Sequence, residues 1–441
     1  MTLADTDVRN VGIPSSTNAY DELPYKSCSV DWSAPERLVL ASLFHGGLQP
    51  TLHVYRVLEL GCGDGANLLP LAYFRRHAAF VGVDGARSQI EVAKTRAAAL
   101  GLANVEFIHA DFREAAHRIS GQFDFVIAHG ILSWVPDVVR DALLDLCAKS
   151  LCPGGLLYMN YNARPGWNVR GLVREFLLAH TVKEKNLRVR AQLAQEVAGK
   201  VVSTMTDLEQ PYSRLLANEF RFVYEGNVTW VAHEFLSADN RAYWRSEFLE
   251  LVGRYGFEYV ADADFNYSSG RIPEELAPRL VLEKITGRSI EDTIDLLCYR
   301  QLHSPILTLG PFARQMPSLE EFGNLYVASC LERCPSNGNA DIVMFRHPSG
   351  YEVEAKERYM QEGFEKLYTQ WPRGLKVAAT FPLTSDVVED LKLLQRNGLI
   401  ELRCIEPGDF GVDGGPLNRL EIEWGGYYTT PYHTTVAVGS D

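Results

Sequence analysis

The spacing of apolar and polar positions changes period along this chain, and each change marks an element. Val57, Leu58 and Leu60 form an apolar run interrupted by Glu59 and ending at Gly61. An apolar run bounded by glycines predicts a buried strand entering a tight turn. Leu68–Phe74 then opens a helical pattern. Ala79–Asp84, AFVGVD, is a second strand-like run that ends in an acid. Ile90, Ala93, Ala97 and Leu100 carry helical spacing over Ala86–Leu100, and Gly101 closes it. Val105–Ala110 and Phe123–Ala128 predict the third and fourth strands. Asp137–Ser150 reads as an amphipathic helix, Leu151–Gly155 as a Pro-Gly turn, and Leu156–Tyr161 as the fifth strand. Strands alternating with helices at this pitch predict an α/β fold, a parallel sheet covered on both faces.

Downstream the pattern turns helical from Arg170 to about Tyr224, with no strand-like run. A helix over Ser246–Tyr255, a strand over Phe257–Phe265, a helix over Ile290–Leu302 and a strand over Pro305–Leu309 follow. Thr384–Gly398 opens with capping residues and keeps an apolar face through Val387 or Val388, Leu391 and Leu394. It turns at Asn397-Gly398 into a strand over Leu399–Cys404. Helix, turn and strand in that order resemble the end of a winged helix, although a packing domain has the same outline. At the other end, Tyr20–Ser27 (YDELPYKS) and Asp31–Pro35 (DWSAP) bring aromatic residues close to prolines. They read as a packed hook or as a lid over a pocket, ahead of a helix over Pro35–Leu43. The expected division is 1–50 as an N-terminal lid segment, 51–169 as a ligand-binding core, 170–234 as a helical insertion, 235–310 as completion of the sheet, and 311–441 as a separate C-terminal α+β piece. Residues 1–19 should be loose, and Trp424–His433 should be an interface or disordered.

Composition narrows the classes. The chain has 441 residues, 46% hydrophobic and 22% charged, with a net charge of −13. That balance disfavours general nucleic-acid or anionic-membrane binding, and Lys183–Arg190 is only a modest basic patch. The eight cysteines are scattered, with Cys330 and Cys334 lacking a partner pair at zinc spacing, so no metal site is expected. No 18-residue apolar run or leader pattern appears, which predicts a cytoplasmic protein without stable membrane insertion.

The glycine turn carries the chemistry. Glu59 is followed by Gly61, Gly63 and Gly65, a G-x-G-x-G spacing rather than the G-x-G-x-x-G of dinucleotide sites. Asp84 lies 25 residues after Glu59, where nucleoside-binding α/β folds place the acid that accepts from ribose hydroxyls. It is also placed to cap the helix that follows. Glu59, Asp84, Asp111, His129 and Tyr161 all fall at or just past strand C-termini, where open α/β sheets bind ligands.

The acid-plus-glycine pattern resembles motif I of class I S-adenosylmethionine (SAM) methyltransferases, which have a seven-stranded Rossmann-like sheet. The resemblance implies SAM as cofactor and S-adenosylhomocysteine as product. It implies Asp111 on the adenine amino group and Phe112 against the ring. Asn67, Gly85, Gln89 and His129 join Glu59, the three glycines and Asp84 in the candidate cofactor set. A closer likeness rests on YDELPYKS, RVLELGCGDGANLLPLA, FVGVD with Ser88-Gln89-Ile90, HGILSWVP and YN-x-x-PGW. These resemble bacterial methyltransferases with a methyltransferase regulatory domain, among them the rickettsial-type protein lysine methyltransferases, over about residues 20–310. The resemblance implies methyl transfer to lysine of a protein or peptide. A small-molecule acceptor, or SAM binding without catalysis, is the alternative. A homodimer is a further partner consistent with this class. In methyl transfer to an amine, His129 could take the proton or orient the acceptor. Tyr161, Trp134 and Tyr25 could form aromatic walls for cationic methylamines.

Overall fold

The computed structural model describes residues 19–25, 27–205, 209–265, 290–335, 343–405, 427–429, 433 and 435–437. Residues 1–18 and most of the tail expectation over Trp424–His433 lie outside the described residues, as does Lys26 within Tyr20–Ser27.

The main sheet has seven strands: β1 Arg56–Leu60, β2 Ala79–Asp84, β3 Val105–His109, β4 Phe123–Ala128, β5 Leu151–Met159, β6 Phe257–Asp262 and β7 Pro305–Leu309. Their order is β3-β2-β1-β4-β5-β7-β6. The first five are parallel, and β7 runs antiparallel to both β5 and β6. Alternation along each strand feeds two layers. Val57, Phe80, Phe125, Leu156 and Ile306 pack on one face, under the helices Pro35–Phe44, Leu68–Phe74 and Arg87–Ala99. Leu58, Val83, Val126, Leu157 and Leu307 pack on the other, under Asp137–Ser150 and Arg245–Gly253. This is the doubly covered Rossmann-like sheet that the sequence predicts.

Leu151–Gly155 corrects one expectation. It is not a turn ahead of β5 but the start of β5 itself. Phe123 pairs with Leu151 and Phe125 already pairs with Leu156, so the intervening residues bulge out, with Gly154 at φ +81°. A Pro-Gly dipeptide signals a break in regular pairing, and a bulge satisfies that signal as well as a turn does.

Four helices, Gly166–Thr181, Leu187–Met205, Pro211–Glu225 and Val228–Leu236, form the insertion around Val173, Leu177, Phe220, Val223 and Phe235. Leu23 of the N-terminal segment is buried in the same cluster. The C-terminal piece is α+β. It has one three-stranded sheet of Tyr326–Ala328, Leu375–Lys376 and Glu401–Arg403, and a second of Glu332–Cys334, Val343–Arg346 and Glu352–Ala355. Helix Ser385–Arg396, capped by Thr384, leads through Asn397-Gly398 into Glu401–Arg403, in the expected order. The hydrophobic core of this piece is continuous with that of the main sheet. Phe44 lies against both Phe265 and Phe322, at 5.3 and 5.8 Å between ring centroids.

Candidate functional site

A cavity of about 580 Å³ opens at the C-terminal ends of β1 to β5. Its floor is the turn after β1. Gly61, Gly63 and Gly65 adopt positive φ of +76°, +52° and +78°, where a side chain is strained. Gly61 donates its N–H to Val83 O at 2.7 Å, and Gly63 donates to Asp84 Oδ2 at 2.8 Å, which locks the turn against the end of β2. Gly61 and Gly63 line the cavity, whereas Gly65 does not. A Cβ on Gly65 would meet Phe107, Leu69 and Ala93, so close packing of the turn on helix and sheet sets glycine there.

The acids divide by environment. Glu59 is buried, and Oε1 accepts from Asn67 Nδ2 at 2.9 Å. Oε2 has no partner among the described residues. Burial pushes the Glu59 carboxyl up to about 8, opposed by the Asn67 hydrogen bond and helped by the charges of Asp84 and Asp64. A buried, partnerless carboxylate oxygen in a cavity wall suits an N–H cation, and the amino group of SAM is one. Asp84 borders the cavity with both oxygens already accepting, Oδ2 from Gly63 N and Oδ1 from Ala86 N at 2.8 Å. It therefore holds the turn and the following helix together, and each oxygen keeps a lone pair for a ligand hydroxyl. Burial raises its carboxyl, and the two backbone N–H donors oppose that rise. Asp111 lines the cavity in a bidentate pair with Arg113, which holds its carboxyl below the ordinary range. Phe112 and Gly85 line the cavity beside it. Gln89 is buried and donates to Tyr25 O at 3.3 Å.

Asn67 is the hub of this end. Its Nδ2 donates to Glu59 and, at 3.0 Å, to Ser33 Oγ. Its Oδ1 accepts from Val30 N at 2.8 Å and from His433 Nε2 at 2.7 Å. The N-terminal segment and the far C-terminal end thus meet on one side chain of the glycine turn.

His129 lines the cavity at the end of β4. Its Nδ1 lies 2.9 Å from Tyr158 Oη and 3.2 Å from Asn160 Nδ2. Asn160 Oδ1 is taken by Gly130 N at 2.6 Å, so the amide presents its NH₂ to the histidine. Nδ1 is therefore an acceptor, and the neutral ring carries its proton on Nε2. Burial lowers the imidazole to about 4. In this tautomer Nδ1 is engaged and Nε2 carries the proton, so neither nitrogen is free to accept one, which disfavours the base role of the sequence reading over the orienting one.

The aromatic candidates separate. Tyr25 and Trp134 line the cavity, with Trp134 edge-on to Trp167 at 5.3 Å. Tyr161 also borders it, but its ring is fixed in the core, stacked on Phe248 at 4.1 Å and near His303. Tyr25 belongs to a segment from which Tyr20, Ser27 and Cys28 also line the cavity. Asp21 accepts from Ser88 N at 2.9 Å, and Leu23 O accepts from His233 Nε2 at 2.7 Å. Tyr20 stacks on His233 at 4.4 Å, and Tyr25 meets the same ring edge-on at 5.7 Å. Sequence reading missed Tyr158, Asn160, His233, Glu234 and His433. Asn160 stands just past β5, the same position that singled out His129 past β4. The others are set by tertiary contacts without a local signal. Among the described residues no group of His, Cys, Asp and Glu could hold a metal, and no helix is long and apolar enough to cross a membrane.

Residues 57–155 match the family described as "Methyltransferase domain". An uncharacterized protein of Rickettsia prowazekii is 32% identical over 67% of this chain and 55% of its own length. The chain therefore spans about half of that relative. A second uncharacterized protein of the same organism is 27% identical over 55% of this chain and 96% of its own length. The fold matches the structure of PKMT2 from Rickettsia typhi in complex with AdoHcy. The TM-score is 0.76 at 20% identity, covering 94% of this chain and 86% of that one.

Proposed function

We propose that this chain, which carries a class I SAM-dependent methyltransferase domain, N-methylates lysine side chains of a protein or peptide. The observation that carries the reading is the cavity itself. Glu59, Asp84 and Asp111 line it at three successive strand ends, and we assign them to the methionine, ribose and adenine moieties of SAM. The same cavity then continues past His129 to the aromatic surfaces of Tyr20, Tyr25 and Trp134. The resemblance of YDELPYKS, HGILSWVP and YN-x-x-PGW to the rickettsial-type protein lysine methyltransferases supports lysine as the acceptor.

Bound SAM supplies an activated methyl carbon on a sulfonium, so the protein's work is positioning and exclusion of water. Glu59 receives the amino group with its free oxygen. Asp84 and the glycine turn it locks receive the ribose. Tyr20, Tyr25 and the backbone between them cover the opening. His129, fixed by Tyr158 and Asn160, presents an N–H that orients an acceptor or cofactor lone pair.

The test is turnover of radiolabelled SAM by the full chain on a panel of lysine-containing proteins and peptides, set against amine and phenol metabolites. Label in lysine of a protein acceptor supports the reading. Label only in small metabolites assigns a biosynthetic role. Tight SAM binding with no turnover on any acceptor assigns a regulator.

A further inference from the structure

Glu234 is used by nothing described above. It lies on helix Val228–Leu236 of the insertion, next to His233, and it lines the same cavity as the glycine turn. It makes no hydrogen bond or ion pair with another described residue. The cation that acts on it, Arg170, is committed elsewhere. Arg170 Nε bonds the buried Glu219 Oε2 at 2.9 Å, and its Nη2 lies 3.2 Å from Gln301 Oε1. Tyr20 and Tyr25 line the cavity alongside Glu234, and their rings are fixed on His233.

A half-buried carboxylate without a counter-ion is costly unless it is neutral or meets a cation. Burial indeed pushes the Glu234 carboxyl up to about 7, with the Arg170 charge opposing. Aromatic faces beside a carboxylate make a surface that attracts ammonium groups. Among the described residues that line the cavity there is no Lys or Arg, and burial holds both His129 and His233 below the ordinary imidazole value, so none of them supplies a cation to Glu234.

We infer that Glu234, with Tyr20 and Tyr25, is the acceptor-ammonium subsite of this enzyme, and that Glu234 takes the proton the acceptor must lose. This rests on the methyltransferase reading and narrows it to a cationic nitrogen acceptor. The carboxylate accepts one proton from the ammonium, R–NH₃⁺, and leaves R–NH₂. The amine lone pair forms the N–C bond to the methyl carbon while the C–S pair returns to sulfur. The products are R–NH₂⁺–CH₃, the neutral thioether and a protonated Glu234. A neutral phenol or alcohol acceptor gains nothing from this arrangement, so the subsite also sets specificity.

The test is binding, and it needs no knowledge of the natural acceptor. Sinefungin carries an ammonium where SAM carries its transferable methyl, and S-adenosylhomocysteine carries nothing there. Affinities of both are measured by calorimetry on the full chain, wild type and Glu234→Gln, with Glu234→Asp as the charge-retaining control. Wild type should prefer sinefungin at least tenfold. Glu234→Gln should cut that preference at least fivefold while leaving S-adenosylhomocysteine within twofold, and Glu234→Asp should keep part of it. Glutamine is isosteric with the protonated acid, so the fold is retained. An unchanged sinefungin preference in Glu234→Gln overturns the inference and leaves the methyltransferase reading standing. Failure of wild type to bind either compound overturns that reading first and this inference with it.

Discussion

The acids at the ends of β1 and β2, Glu59 and Asp84, behave differently because their partners differ. Glu59 is buried with one oxygen unpaired, and its carboxyl sits near 8 when folded against 4.5 ordinarily. The folded state keeps a proton that the unfolded state loses between those values. The stability this contributes is complete below about pH 4.5 and is lost as pH rises toward 8, by at most about 1.4 kcal/mol per pH unit. Glu59→Gln should remove that slope, so its melting temperature should gain on wild type from pH 5 to pH 8. Its SAM affinity should fall at the same time, because the amino group loses its charge partner. Scanning calorimetry at the two pH values checks the first part, and a flat difference would discard the buried-acid account. Asp84 differs, since both oxygens already serve backbone N–H donors. Asp84→Ala should weaken SAM binding at least tenfold, as one charge-assisted hydrogen bond is worth about 1.5–3 kcal/mol. It should also lower the melting temperature, because the turn after β1 loses its tie to β2. A titration giving wild-type affinity would remove Asp84 from the cofactor set.

At the scale of elements, the strands and their order of appearance were legible because each is an apolar run closed by a local breaker. The helix bounds at Leu68–Phe74 and Asp137–Ser150 were legible for the same reason. The site was legible where it depends on a strand end, and Glu59, Asp84, Asp111 and His129 are all of that kind. It was not legible where one element leans on another. The tautomer of His129 depends on Asn160 and Tyr158 from the neighbouring strand. Glu234 falls at the end of the expected helical insertion, 170–234, with no local pattern that singles it out. The N-terminal segment is intermediate: its aromatic residues were visible, but its anchors on Ser88, Leu187 and His233 were not. Those anchors make a prediction about the whole element. Deleting residues 1–28 should cost at least tenfold in turnover and only about 1–3 kcal/mol in stability, since the described residues among them add no strand to the sheet and Leu23 alone of these is fully buried. Tyr25→Phe should keep the melting temperature, because the ring still packs on His233, and should lower turnover through the lost hydroxyl. Full activity of the deletion under steady-state assay would leave the segment as packing alone.

At the scale of the molecule, the sheet is complete by Leu309, and from that one would expect residues 311–441 to be dispensable for binding SAM. Two observations argue the reverse. The helix Pro35–Phe44 is covered on one side by the sheet and on the other by the C-terminal piece, so Phe44 touches Phe265 and Phe322 within one continuous cluster. Removing the piece exposes that helix and costs about 25 cal/mol for each Å² of apolar surface uncovered. The second observation reaches the site directly. His433 is fully buried, and its Nε2 donates to Asn67, the residue that also holds Glu59. Burial holds its imidazole well below the ordinary value, with the Arg75 charge acting the same way, so it stays neutral in the folded state. Its contribution is therefore present above the unfolded pKa of 6.5 and lost as pH falls below it. A chain ending at residue 310 should be poorly soluble or should bind SAM far more weakly than the full chain. His433→Ala in the full chain separates the two causes. It leaves the Phe44 contacts intact and removes one buried hydrogen bond worth about 0.5–1.5 kcal/mol. SAM affinity should then fall roughly two- to tenfold, with a melting temperature lowered by only a few degrees. Wild-type affinity in His433→Ala, measured above pH 7 where the imidazole is neutral in both states, would show that the C-terminal end supports the core and not the cofactor turn.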